Sequence, residues 1–284
     1  MSQAMLTIIL PLALAWMMYC VGLTLKLDDF KRVSSFPLKI TAGLITQLIG
    51  LPIIAYGFIY YLGLPEPIAV GLWLLALAPG GASSNTITYL SGGDTALSIS
   101  MTALSSLIIP FSLPLMLPLV LTDAHLVMPI KIAILQLVVV TILPTAIGMV
   151  MRAYISTKWF KNFINVSGKS ALWTLFFTVF VTLLANLSVF EQLFSIASIA
   201  VLALCLCGGL LGAIVAKAIG GDNILMKTFS IEVGIQNAGT AIFVAVVQLQ
   251  QPDLAVTPLL YGILMNIPAL ILIHWHRVHK NIMI

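Results

Sequence analysis

The chain has 284 residues, 61% of them hydrophobic and 8% charged, with a mean hydropathy of +1.13 and a formal net charge of +4. Soluble domains carry about 25% charged residues, so a soluble fold is excluded, and continuous apolar runs of about 20 residues exclude a barrel of short alternating strands. The positive charge does not mark a nucleic-acid partner, because the basic residues are spread over short loops rather than gathered in a patch.

Nine apolar runs predict an all-α polytopic membrane protein with about nine transmembrane helices, in one unit over 1–284. They cover about 4–25, 37–62, 66–90, 94–121, 128–153, 162–186, 191–217, 223–249 and 253–276. No basic stretch precedes the first run, which is therefore read as a retained helix rather than a signal peptide. The connections are short, such as Lys26 to Arg32, Ser91-Gly-Gly-Asp94, Thr122 to His125 and Gly220 to Asn223. With the N-terminus outside, Lys26, Lys31, Arg32, Lys39, Arg152, Lys158, Lys161, Lys169, Lys217, Lys227, Arg277 and Lys280 all fall on the inner side, and of the 13 basic residues only Lys131 falls outside. That bias follows the positive-inside rule. It predicts a multi-pass protein of an inner (plasma) membrane with a cytoplasmic C-terminus. His274, His276 and His279 then read as interfacial or tail residues.

In the second run, Gln47 is a lone carboxamide at membrane depth, which reads equally as helix–helix glue. The third run is interrupted by Ala78-Pro-Gly-Gly-Ala-Ser-Ser-Asn85. Pro79 removes a backbone donor and Gly80-Gly81 lets the chain leave helical geometry. In the fourth run, Ser98 and Thr102 are four residues apart and share a helix face, where each hydroxyl could instead bond its own backbone. Gly208-Gly-Leu-Leu-Gly212 in the seventh run reads as close helix packing. Cys20, Cys205 and Cys207 read as small packing residues rather than a disulfide or metal site.

The eighth run carries Ser230-Ile-Glu-Val-Gly-Ile-Gln-Asn-Ala-Gly239. Glu232 is the only one of nine acids deep in a run; Asp28, Asp29, Glu66, Asp94, Asp123, Glu191, Asp222 and Asp253 lie in loops or at run ends. A charge at the bilayer centre costs about 2.5–3.5 kcal/mol on insertion scales, and a glycine-broken helix there leaves carbonyls without partners. Both expenses in one place predict a site for something polar. The third and eighth runs have opposite orientations, so the two interruptions also predict an inverted-repeat transporter. An intramembrane enzyme is the rival from a different class; it needs a nucleophile–base pair or a metal cluster, and Glu232 is the one membrane-embedded carboxylate with no His mid-run, which reads against it.

Gly22-Leu-Thr-Leu25, Pro79 to Asn85, Tyr89-Leu-x-x-Gly-Asp94 and Glu232 to Gly239 together resemble the bile acid:sodium symporter family over nearly the whole chain. The resemblance implies a panel part (1–33 and 128–187) and a core part (37–121 and 190–276), with two discontinuous helices crossing in the core. It implies two sodium ions: one held by Ser84, Asn85, Ser98, Thr102 and Glu232, the other by Gln47, Glu232 and Gln236 with the carbonyls of Val233 and Ile235. Asn237 and Asn266 would face the substrate. The activity implied is sodium-coupled import of an organic anion, bile-acid-like or a small carboxylate such as pantoate, by alternating access. A proton-coupled or efflux carrier of similar fold, with Glu232 as proton carrier, is the alternative. Met265 stands where some bile-acid-binding relatives have a polar residue.

Overall fold

A computed structural model describes residues 3–26, 36–121, 128–185 and 193–282. Asp28, Asp29, Lys31, Arg32, Asp123, His125 and Glu191, named above, lie outside the described residues. The described chain is helical, without a named strand. Six of its helices are long and apolar enough to cross a membrane, and two shorter apolar helices accompany them.

Helix α1 (Gln3–Thr24) packs against α6 (Ile130–Tyr154) and α7 (Lys158–Ala185). The α1–α6 seam is built from glycine: a Cβ on Gly22 would meet the Thr145 carbonyl at 2.1 Å, and one on Gly148 the Tyr19 carbonyl at 2.4 Å. The backbones therefore touch, the close approach that small residues permit in membranes. Thr145 Oγ1 donates to the Met18 carbonyl (3.2 Å), and the Arg152 guanidinium donates to the Leu23 carbonyl, satisfying the carbonyl end of α1.

Helix α2 (Pro37–Leu62) and α6 each contain one wide π-turn, Thr46–Gly50 and Val138–Ile142. Pro52 and Pro144 stand two residues beyond each. A proline lacks the N–H for the carbonyl four residues back and its ring crowds it, and the wider turn makes room. A left-handed Gly63 (φ 55°) ends α2.

The third predicted run is two helices, α3 (Glu66–Ala76) and α4 (Ala82–Leu90), and the eighth is two as well, α9 (Asn223–Gly234) and α10 (Ala238–Gln248). Between them in sequence lie α5 (Thr95–Val120), capped by Asp94 on Ala96 N and Leu97 N, and α8 (Ile196–Ala218). Asp222 caps α9 through Leu225 N at 2.9 Å. Along α8, a Cβ on Gly212 would lie 2.4 Å from the Phe229 carbonyl, so α9 rests on the small-residue run.

The last run, expected over 253–276, is one candidate membrane span over Pro252–Val278. Within it lie a 3-10 turn (Pro252–Ala255), α11 (Val256–Leu264) and α12 (Asn266–Ile282), with a one-residue turn at Met265 between the last two. Pro268 is the cause: it offers no N–H to the Leu264 carbonyl. Of the histidines read as interfacial or tail residues, His276 is packed against the fold. Its ring packs on Gly92 and its Nδ1 lies 3.2 Å from Lys227 Nζ on α9.

Large apolar side chains such as Ile8, Leu12, Leu119, Leu210 and Leu270 point outward, more than half exposed. On a soluble protein that surface would aggregate; here it meets lipid.

Candidate functional site

The two interrupted helices cross at their breaks. Gly80 and Gln236 form an antiparallel bridge, and Asn237 N–H donates to the Pro79 carbonyl at 2.9 Å. Each break frees backbone groups that need partners at membrane depth. Gly80 N–H finds Ser105 Oγ on α5 (3.3 Å), and Ile235 N–H keeps its helical bond to Ile231 O (2.8 Å). Around Gly234 and Gln236 the partner is the Tyr261 hydroxyl from α11.

Glu232, on the last turn of α9, has no exposed surface. Its Oε1 accepts from Ser84 Oγ on α4 (2.7 Å) and from Ser98 Oγ on α5; its Oε2 accepts from Thr102 Oγ1 (3.0 Å). Asn85 Oδ1 lies on the same hydroxyls, 2.8 Å from Ser98 and 3.4 Å from Thr102, and Ser84 Oγ is also 2.7 Å from the Gly81 carbonyl. The Ser98 and Thr102 hydroxyls thus face the carboxylate. Three hydroxyl protons serve both carboxylate oxygens, an amide oxygen and a carbonyl, so acceptors outnumber donors. No Lys, Arg or His among the described residues bonds the carboxylate. A nest of hard oxygens short of protons fits a hard cation.

A second cluster adjoins it. Gln47, from the π-turn of α2, donates its Nε2 to Gln236 Oε1 (3.0 Å), while Gln236 Nε2 donates to the carbonyls of Glu232 (3.0 Å) and Val233 (2.7 Å). Gln47 Oε1 is buried without a partner, an acceptor oxygen that favours a cation nearby. Gly80 lies between the clusters: a Cβ there would be 2.9 Å from Glu232 Oε2 and 3.6 Å from Gln47 Nε2. Residues far apart in sequence, such as Ser84 and Glu232 at a separation of 148, are brought together in this way.

Asn237 faces the other side of the crossing. It caps α10, Oδ1 accepting from Thr240 N at 3.2 Å, and its Nδ2 is buried without a partner. It lines a cavity of about 30 Å³ with Met17, Gly81, Ser83 and Met265. A second cavity of about 250 Å³ shares Thr86, Gly168 and Ala171 with the first and is lined by Thr24, Asn85 and Thr95. Both α4 and α10 begin at the crossing, so two helix N-termini end there, each a partial positive charge. Asn266 stands apart from this cluster in its bonding. Its Nδ2 donates to the Gly262 (2.8 Å) and Ile263 (3.1 Å) carbonyls of its own chain turn.

Two further positions at the crossing were not singled out from the sequence. Ser105 and Tyr261 hold the breaks from neighbouring helices; Ser105 is one of several hydroxyls in its run, and Tyr261 sits among apolar residues.

Such a crossing, with a carboxylate lacking a counter-cation among the described residues and with Gln47 Oε1 and Asn237 Nδ2 left unpaired at membrane depth, defines a membrane transporter. The chain belongs to the sodium bile acid symporter family, whose model matches residues 11–193. It is 33% identical over 224 residues to an uncharacterized sodium-dependent transporter of Bacillus subtilis, YocS, covering 78% of this chain and 68% of that one. It is 31% identical over 242 residues to a probable sodium/metabolite cotransporter of Arabidopsis thaliana, chloroplastic BASS1, covering 83% of this chain and 58% of that one. The human P3 protein is 28% identical over 228 residues, 76% of this chain and 46% of its own length. These relationships place the chain among sodium-dependent transporters and not among enzymes.

Proposed function

We propose that the protein imports a small organic anion together with two sodium ions by alternating access at the crossing. The observation that carries this reading is the proton deficit around Glu232. One ion takes the oxygens of Ser84, Asn85, Ser98, Thr102 and Glu232. The other takes Gln47, Glu232, Gln236 and the carbonyls of Val233 and Ile235. Gln236 Nε2 now donates to the Glu232 and Val233 carbonyls, so the amide must turn as the second ion enters. Two sodium ions beside one carboxylate leave one positive charge, which a monocarboxylate offsets locally. Net positive charge still moves inward, so the membrane potential aids uptake.

Asn237 Nδ2 and the start of α10 meet the substrate carboxylate; Asn266 joins only by releasing its own-helix bonds. A crevice of about 250 Å³ is smaller than the ~300–1,000 Å³ of typical small-molecule pockets, which supports a small carboxylate such as pantoate over a bile-acid-like steroid. In Asn237→Ala, stabilisation by pantoate should be lost while stabilisation by sodium largely survives. Melting temperatures with each, alone and with a bile salt for comparison, test this. Loss of the sodium response as well would move Asn237 into the cation site.

The panel is 1–33 with 128–187 and the core 37–121 with 190–276; the backbone contact of α1 with α6 supports treating the panel as one rigid piece. Nine spans in an inner membrane put the N-terminus outside and the C-terminus in the cytoplasm. In a variant without its native cysteines, a cysteine at Ser156 should resist labelling from outside and one at Gln251 should accept it. The reverse pattern overturns the orientation.

A further inference from the structure

The Tyr261 hydroxyl lies where the second broken helix has lost its own hydrogen bonds. In an unbroken helix the Gly234 carbonyl would receive the N–H of Ala238, and the N–H of Gln236 would go to the Glu232 carbonyl. Neither bond is present. Ala238 N–H turns to the Gln236 carbonyl (3.1 Å), and the Glu232 carbonyl takes the Gln236 side chain instead (3.0 Å). The Tyr261 O–H donates to the Gly234 carbonyl at 2.5 Å and accepts from Gln236 N–H at 3.1 Å. One phenol oxygen thus stands in for both missing partners, on either side of Ile235. The ring that carries it is 1% exposed, and it has two torsions, so its position is set by packing.

We infer that Tyr261 is the positioning residue of the second cation site. It holds Gly234–Gln236 unwound before any ion arrives and prevents the segment from winding back into a helix when the ion leaves. Rewinding would return the Gln236 N–H to the Glu232 carbonyl and the Ala238 N–H to the Gly234 carbonyl. That would swing the carbonyls of Val233 and Ile235 and the Gln236 side chain away from Gln47 and Glu232. A serine or threonine on α11 has the right polarity but too short a reach; a phenylalanine has the reach and no oxygen. The inference rests on the sodium reading above and adds to it a residue that touches no ion.

The test is Tyr261→Phe in the full chain, titrated with sodium at constant ionic strength made up with potassium. The sodium concentration for half-maximal uptake and for half-maximal thermal stabilisation is expected to rise about tenfold. The substrate KM at saturating sodium should stay within about twofold. Equal loss of melting temperature in sodium and in potassium, with half-saturating sodium unchanged, makes Tyr261 a packing residue only and overturns the inference. Hydrogen exchange of the parent protein decides the matter if the variant does not fold. The amides of 234–238 are expected to exchange equally slowly in sodium and in potassium. Fast exchange in potassium that sodium suppresses would mean that the ion itself orders the segment, and the clamp falls. A parent that sodium neither stabilises nor drives removes the sodium reading and this inference together, an outcome distinct from sodium acting on parent and variant alike.

Discussion

Glu232→Gln is expected to abolish sodium-driven uptake and to leave the sodium-free protein at least as stable as the parent. The attraction between a carboxylate and a sodium ion about 2.5 Å away is about 6–7 kcal/mol at an effective dielectric near 20, and each ~1.4 kcal/mol is tenfold in affinity. Even a fraction of that moves both ion sites out of the working range, because Glu232 is common to them. The fold need not suffer. The glutamine oxygen can still accept from Ser84 and Ser98, whose hydroxyls now lie on Oε1. Its NH2 brings two donors to a cluster short of them, close to Thr102 and Asn85. A buried carboxylate without a counter-charge is itself costly. Melting temperatures in sodium and in potassium, beside uptake into vesicles, read both halves of the expectation. A variant still stabilised by sodium and still accumulating substrate would remove Glu232 from the mechanism.

Gly80→Ala should be nearly as damaging to sodium binding, and Gly81→Ala nearly silent for it, although the two glycines are adjacent. An alanine Cβ at 80 would stand 2.9 Å from Glu232 Oε2 and 3.2 Å from Thr102 Oγ1. The carboxylate cannot step aside without giving up its hydroxyl partners, and forced overpacking costs about 1–3 kcal/mol. At 81 the first atom met is Ser83 Oγ at 3.2 Å, the tip of a short side chain, and the backbone is ordinary extended chain. The sodium concentration for half-maximal thermal stabilisation should rise at least about tenfold for Gly80→Ala and stay within about twofold of the parent for Gly81→Ala. Equal loss in both would show that backbone freedom, and not room beside the carboxylate, is what this glycine pair supplies.

The site was readable from sequence where polarity violates its surroundings. Glu232 in an apolar run, Pro79-Gly-Gly and the Ser-Ser-Asn after it are costly at membrane depth, so their presence signals use. Ser98, Thr102 and Gln47 were ambiguous, because a hydroxyl or amide in a membrane helix satisfies itself locally about as well as it joins a site; the chain bends them onto Glu232 and Gln236. The resemblance, and not their spacing, singled them out. The break at Met265 was hidden because Pro268 in a membrane helix is tolerated often enough to carry no boundary signal. The π-turns at Thr46–Gly50 and Val138–Ile142 were hidden for the same reason, each beside a proline. Tyr261 was the least visible. Its neighbours Leu259, Leu260 and Gly262 make it one more apolar position, and only the fold reveals that its oxygen reaches two backbone groups.

The backbone pairing of the two breaks also bears on how the molecule is made. The Pro79 carbonyl accepts from the N–H of Asn237, and Ser84 waits on Glu232 across 148 residues. During synthesis, α3 and α4 precede the segment that completes them by about 150 residues, so they enter the bilayer before it is made. Gly80 gains Ser105 as soon as α5 follows, but the proline oxygen keeps no protein partner until α9 and α10 are in place. The crossing can therefore close only once α9 and α10 are made, and Tyr261 on α11 joins it later still. Lesions at the break should show first as degraded chains, and only afterwards as slow transport.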